Sequence, residues 1–152
     1  MASVKFRRAA SDDLPAIVAL LADDPIGSGR ESAGARLDPS YEAAFAAIER
    51  DPNQFLAVAE IGGKVIGCLQ LSFIPGLTRR GMWRGQIEGV RIAGTERGTG
   101  IGRAMLLWAI EECRRRGCGI VQLTSDKRRT EAHRFYEALG FRATHEGYKL
   151  EL

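Results

Sequence analysis

The stretch EGVRIAGTERGTGIGRAMLLWAI, Glu88 to Ile110, sets three glycines at alternate positions, Gly98, Gly100 and Gly102, between a strand-like run and an amphipathic one. The first turn of a helix carries amides without intrahelical partners and a partial positive charge. Glycines there let an anion approach the backbone without meeting a Cβ, and they accept dihedrals that other residues avoid. Arg97, just before the loop, adds a cation at its mouth. The pattern predicts a strand, a phosphate-binding turn and a long helix in that order. A tight turn with a close helix–sheet contact is the inert alternative.

Two familiar phosphate loops do not fit. A Walker loop ends in Gly-Lys-Ser/Thr, whereas this one continues Gly102-Arg103-Ala104. A dinucleotide fingerprint needs a glycine or alanine at its last position, and that position falls on Arg103 or Met105. Asp126, after the next strand, would suit a ribose, so a nucleotide-binding oxidoreductase stays open as an alternative. The chain is short for a complete fold of that kind.

The flanking sequence reads as a mixed sheet. VKFRRA is a first strand; SDDLPAIVALLAD is a helix with Ser11 or Asp12 as cap and Pro15 in its first turn. The Gly/Ser/Pro-rich segment 23–40 reads as a mobile loop, and a helix follows from about Tyr41 to Arg50. QFLAVAEIGGKVIGCLQLSFI is a hairpin turning at Gly62-Gly63, and RGMWRGQIEGVRI is another strand. After the glycine loop come a helix to Arg116, the strand GIVQLTS, a short helix with Ala132, Phe135, Tyr136 and Leu139 on one face, and a final strand pair in FRATHEGYKLEL. Early hairpins and a late strand–helix–strand crossover predict a single α/β domain over 1–152, its mixed and mostly antiparallel sheet flanked by helices.

Charge and cysteines narrow the partners. Net charge is only +3, but basic residues are denser after Arg79, which suits a polyanionic ligand. No helix-turn-helix, zinc finger or aromatic-studded sheet motif accompanies them, so nucleic acid is not expected. Cys68, Cys113 and Cys118 form an odd set without metal-ligand spacing. That predicts reduced thiols, no metal and a cytoplasmic setting. No run approaches the apolar length of a membrane span, and MASVKFRRAASDD lacks the apolar core of a secretion signal, so no membrane partner is expected.

Arg97, Gly100 and Gly102 match Arg/Gln-x-x-Gly-x-Gly/Ala, and AHRFYEALGF matches a later alanine, Phe-Tyr and Gly-Phe signature. With these two motifs the chain resembles the GCN5-related N-acetyltransferase (GNAT) superfamily over nearly its whole length. The resemblance implies an acyl-coenzyme A N-acyltransferase fold and acetyl-coenzyme A as cosubstrate, with an amine as acceptor. It implies that the amides of Gly98, Thr99, Gly100, Ile101, Gly102 and Arg103 hold the diphosphate, and that the backbone of Val90, Arg91 and Ile92 pairs with pantetheine. Where the family often has an asparagine, seven residues before the tyrosine, this chain has Arg129. A guanidinium reaching a phosphate would replace the missing amide contact.

Acetyl transfer to an amine needs a base for the amine proton, a donor for charge on the thioester oxygen, an acid for the thiolate, and alignment of the reactants. Glu88, in the strand before the cofactor segment, is the base candidate; an exposed carboxylate paired with an arginine is its alternative. Gly89, inside a strand, predicts a bulge that frees an amide such as that of Val90 toward the thioester oxygen. Tyr136 is the acid candidate by resemblance, although its spacing also suits a core residue. His133 reads as solvent-facing, and His145 as inert in the last hairpin. Cys68 would act as nucleophile only beside a histidine, so direct attack in a ternary complex is expected.

The acceptor stays open. Asp23, Asp24 and Glu31 would select a cationic amine, Arg30 and Arg36 a carboxylate or phosphonate. Trp83 would cover an acceptor or sit at a homodimer contact. A non-catalytic acyl-coenzyme A sensor remains the second class.

Overall fold

The computed structural model describes residues 3–34 and 36–152. Its sheet has five strands in sequence order: β1 (Lys5–Arg8), β2 (Gln54–Ile61), β3 (Lys64–Ile74), β4 (Arg84–Ile92) and β5 (Ile120–Leu123). The first three pairings are antiparallel and only β4–β5 is parallel, which is the mixed sheet the sequence predicts. Gly62 and Gly63, at φ 56° and 82°, supply the two left-handed residues of the β2–β3 turn.

Two cores sandwich the sheet. On one face α1 (Leu14–Ala22) and α2 (Pro39–Arg50) set Leu14, Ile17, Val18 and Phe45 against Val58 and Cys68. On the other, α3 (Ile101–Arg115) buries Met105, Leu106, Ala109 and Cys113 against Leu69, Leu71 and Ile87. The period-2 alternation of β2 divides its side chains between the cores, Val58 facing one and Ala57 and Ala59 the other. The last helix, α4 (Thr130–Ala138), has no fully buried residue.

The approach to α1 differs from the sequence reading. Ser11 and Asp12 form a short 3-10 turn with Asp13, and no side chain caps α1. Asp13 instead folds back to accept the Ala10 amide at 2.7 Å and both Nη atoms of Arg7 at 2.7 and 3.0 Å. Arg7 also binds Glu60 on β2. Its bonds hold the Asp13 carboxyl below the usual range against the opposing effect of burial. One guanidinium thus locks β1 to the start of α1.

The expected final strand pair is not present. From Phe141 to Leu152 the chain runs without strand pairing, turn or bend, so no hairpin forms around His145. A strand needs a partner edge, and this segment has none within its own chain.

Removing Asp13 leaves Arg7 half-buried beside a single partner. We expect Asp13→Ala to lower unfolding free energy in urea titration by about 2–3 kcal/mol. The exposed neighbour Asp12→Ala should change it by less than about 0.5 kcal/mol; equal effects would contradict the assigned lock.

Candidate functional site

The site is built where two parallel strands part. β4 pairs with β5 from Arg84↔Ile120 to Ile87↔Leu123, then continues to Ile92 against β3 alone. At that divergence the β3–β4 register slips: Gln70 faces Glu88, yet Cys68 faces Arg91. The extra residue is a bulge, and Gly89 sits in it at φ 61°, as its place in the strand predicts. Glu88 is exposed just before the bulge and has no ion-pair partner among the described residues. The backbone of Val90 to Ile92 therefore lies on a strand segment that β5 leaves uncovered.

At the end of that segment the glycine loop opens α3. Gly98 and Gly100 have φ 77° and 88°, and Gly100 is the residue immediately before the helix. A Cβ at either would meet nothing within 4 Å. Their glycine identity thus follows from the left-handed backbone, not from crowding by protein. Gly102 is different: its Cβ would lie 3.6 Å from Ile92 and 3.7 Å from Phe135, an ordinary contact.

The first bond into the helix is Ala104 N–H to Gly100 O, at 3.1 Å. No side chain caps the helix, and among the described residues the amides from Gly98 to Arg103 have no protein acceptor. Six successive donors at a helix N-terminus form a ready anion cradle. Arg97 stands beside it, its Nη2 3.5 Å from the Asp23 carbonyl oxygen.

A buried ion cluster forms the opposite side. Asp24, 7% exposed at its side chain, accepts Arg129 Nη1 at 2.7 Å and Nη2 at 3.1 Å, Arg91 Nη2 at 3.5 Å and the Gly27 amide at 2.6 Å. Burial alone would raise its pKa, but the Arg129 bonds, the Gly27 amide and the two guanidinium charges outweigh it and hold it at about 2. Burial and the charge of Arg129 lower Arg91, whose Nε is buried without a partner. Burial raises the Tyr136 phenol further above its ordinary value, against the charges of Arg91 and Arg129. Burial also pushes Cys68 up to about 12, which makes it a poor nucleophile.

The structure brings Arg91, Arg97, Arg129 and Tyr136 into one neighbourhood, organised by residues 23–27. Arg129 spends its fork on Asp24 and not on the glycine loop. Among the acidic candidates, Asp24 is neutralised, and Glu31 is held by the Tyr41 hydroxyl at 2.9 Å and by Arg30 at 3.0 Å. His133 is partly exposed, and its Nε2 lies 2.9 Å from the Asp126 carbonyl oxygen at the surface. Sequence reasoning missed Asp24 as the hub, because its partners lie 67 and 105 residues away and no local pattern marks them.

A profile of the Acetyltransferase (GNAT) family matches residues 14–141. The chain is 33% identical over 106 residues to an aminoalkylphosphonate N-acetyltransferase of Salmonella typhimurium, covering 70% of this chain and 68% of that one. It is 37% identical over 90 residues to a glucosamine 6-phosphate N-acetyltransferase of Trypanosoma brucei brucei, covering 59% of each. A crystal structure from Bacillus halodurans C-125, described as a transcriptional regulator, superposes with a TM-score of 0.96 at 47% identity, over 99% of this chain and 100% of that one. Among the described residues, no helix is long and apolar enough to cross a membrane.

Asp24→Asn leaves two buried guanidinium groups without a counter-charge, and we expect it to cost about 3 kcal/mol at pH 7. The sign of the pH effect follows from the depressed pKa of about 2. The wild-type advantage is full above the unfolded carboxylate value of about 3.9 and is lost as pH falls toward the folded value. Denaturant titrations of both proteins should show a gap that is constant above pH 5 and closes between about 4 and 2. A gap independent of pH would contradict the cluster.

Proposed function

The chain belongs to the acetyltransferase (GNAT) family, and from that premise we propose that it transfers an acetyl group from acetyl-coenzyme A to the primary amine of a small molecule, by direct attack in a ternary complex. The observation that carries this reading is the run of amides from Gly98 to Arg103 without protein acceptors, held open by two left-handed glycines. Such a cradle fits a diphosphate, with Arg97 and Arg103 as flanking cations. Acetyl-coenzyme A supplies the acyl thioester. The backbone of Val90, Arg91 and Ile92 is the segment that pairs with its pantetheine arm, since β5 leaves that stretch of β4 uncovered.

The remaining roles fall to this chain's own groups. Glu88, exposed before the bulge and without an ion-pair partner among the described residues, takes the proton from the attacking amine, which is otherwise mostly protonated at neutral pH. The bulge at Gly89 directs an amide, that of Val90, at the oxygen on which charge develops. Tyr136, a phenol protonated at neutral pH, donates to the departing thiolate. The high pKa of Cys68 argues against a covalent acetyl-enzyme. Arg129 acts through Asp24, fixing residues 23–27 against the cleft, and meets a phosphate only if that pair opens.

For the acceptor we infer a small amine that also carries a phosphonate or phosphate. Asp24 and Glu31 are already paired, so they offer little to a cation, whereas Arg91 and Arg129 share one carboxylate and leave positive charge in excess. Two curated relatives are named for acceptors of this type. A second reading, an acyl-coenzyme A-binding regulator, draws on the description of the Bacillus halodurans protein.

A free-thiol assay with acetyl-coenzyme A across aminoalkylphosphonates, amino-sugar phosphates, neutral amines and peptides separates these. Turnover strongest with the phosphorylated or phosphonate amines is expected. Cofactor binding with no thiol release from any acceptor would favour the regulator. In calorimetric titrations Gly100→Val should raise the acetyl-coenzyme A dissociation constant at least about tenfold, through strain and loss of the cradle. Gly102→Ala, which has room, should stay within about threefold. Glu88→Gln and Tyr136→Phe should each lower kcat by about 10²–10³ with little change in cofactor affinity. Unchanged kcat in either would remove that residue from the chemistry.

A further inference from the structure

The C-terminal segment is exposed chain that joins no sheet. All of residues 142–152 are exposed, with Tyr148 at 92%, Leu150 at 86% and Leu152 at 117% of full accessibility. Apolar Tyr148, Leu150 and Leu152 alternate with charged Lys149 and Glu151, the pattern of a strand that buries one face. The backbone bonds Gly140 N–H to Glu137 O and Phe141 N–H to Tyr136 O end α4 and send the chain outward. Beyond them it neither turns nor bends back.

The body has the complementary deficit. β5 is the sheet edge, pairs only with β4, and has four residues that are all half-buried. Beside it Leu123, Phe135, Leu139 and Phe141 pack on the core yet remain partly exposed. An uncovered apolar flank next to an open edge is a template for another strand.

We propose that the chain is a homodimer in which each copy lays residues 142–152 along the β5 edge and α4 flank of the other. A second copy is the occupant because one chain carries both parts: a strand-patterned segment lacking an edge and an edge lacking a strand. Reciprocal exchange about a two-fold axis satisfies both at once. The Bacillus halodurans crystal structure gives independent support. Its superposition at 0.96 over 99% of this chain requires its last residues to leave the body along the same path. The exchanged strand would cover the flank that includes α4, the helix that carries Tyr136, so the site would be walled by both copies.

Sedimentation velocity tests the assembly on the full chain. A particle of twice the 16.6 kDa chain mass is expected at micromolar concentration. The double variant Tyr148→Asp, Leu150→Asp, whose side chains lie off the monomer body, should raise the dimer dissociation constant by at least about a hundredfold with an unchanged far-ultraviolet circular dichroism spectrum. A photo-crosslinking residue at 150 should join two copies, through β5 or α4 of the second. A monomeric wild type, a dimer indifferent to the double variant, or crosslinks confined within one chain would each overturn the proposal.

Discussion

A helix that begins without a cap normally loses stability, because its first amides go unbonded. Here α3 begins that way, and the backbone before it is set by Gly98 and Gly100 in a conformation other residues adopt only with strain. The rest of the architecture serves that entrance. The apolar face of α3 fixes it to the sheet through Met105, Leu106 and Ala109. The parting of β4 from β5 keeps the approach clear, and the Gly89 bulge re-aims β4 where it runs up to the loop. In the proposed reaction β4 carries the base Glu88 and the Val90 amide, and α4 carries the acid Tyr136.

The second organising element is electrostatic. Asp24 binds two arginines from distant parts of the chain, which ties the loop after α1 to β4 and to the approach to α4. The ion pairs are buried, so the partners are costly to separate and the geometry is well defined. They also decide the local charge balance. One carboxylate between two guanidinium groups leaves positive charge in excess there, a property no count of charges along the loop would reveal.

Local features were legible in the sequence. The glycine loop, the Gly62-Gly63 turn and the strand bulge at Gly89 each depend on residues close together, and each takes the expected form. Helix spacing located α1, α2 and α3, because burial follows their period. Non-local features were not legible. The choice of Asp13 over Ser11 or Asp12 depends on Arg7 meeting it from β1. The Asp24 cluster spans most of the chain. In the C-terminal segment the sequence reading fails: residues 141–152 form no strand, because a strand pattern fixes neither a partner edge nor its place. The expectation of a hairpin there assumed a partner within the same chain.

The proposed enzyme depends on the amides from Gly98 to Arg103, unbonded among the described residues, taking the diphosphate of coenzyme A. An amide-resolved NMR titration of the protein with coenzyme A reads those six groups one by one. Shifts should concentrate at the six, with smaller ones along Val90 to Ile92. Saturable binding that leaves the six resonances in place and moves others would contradict it.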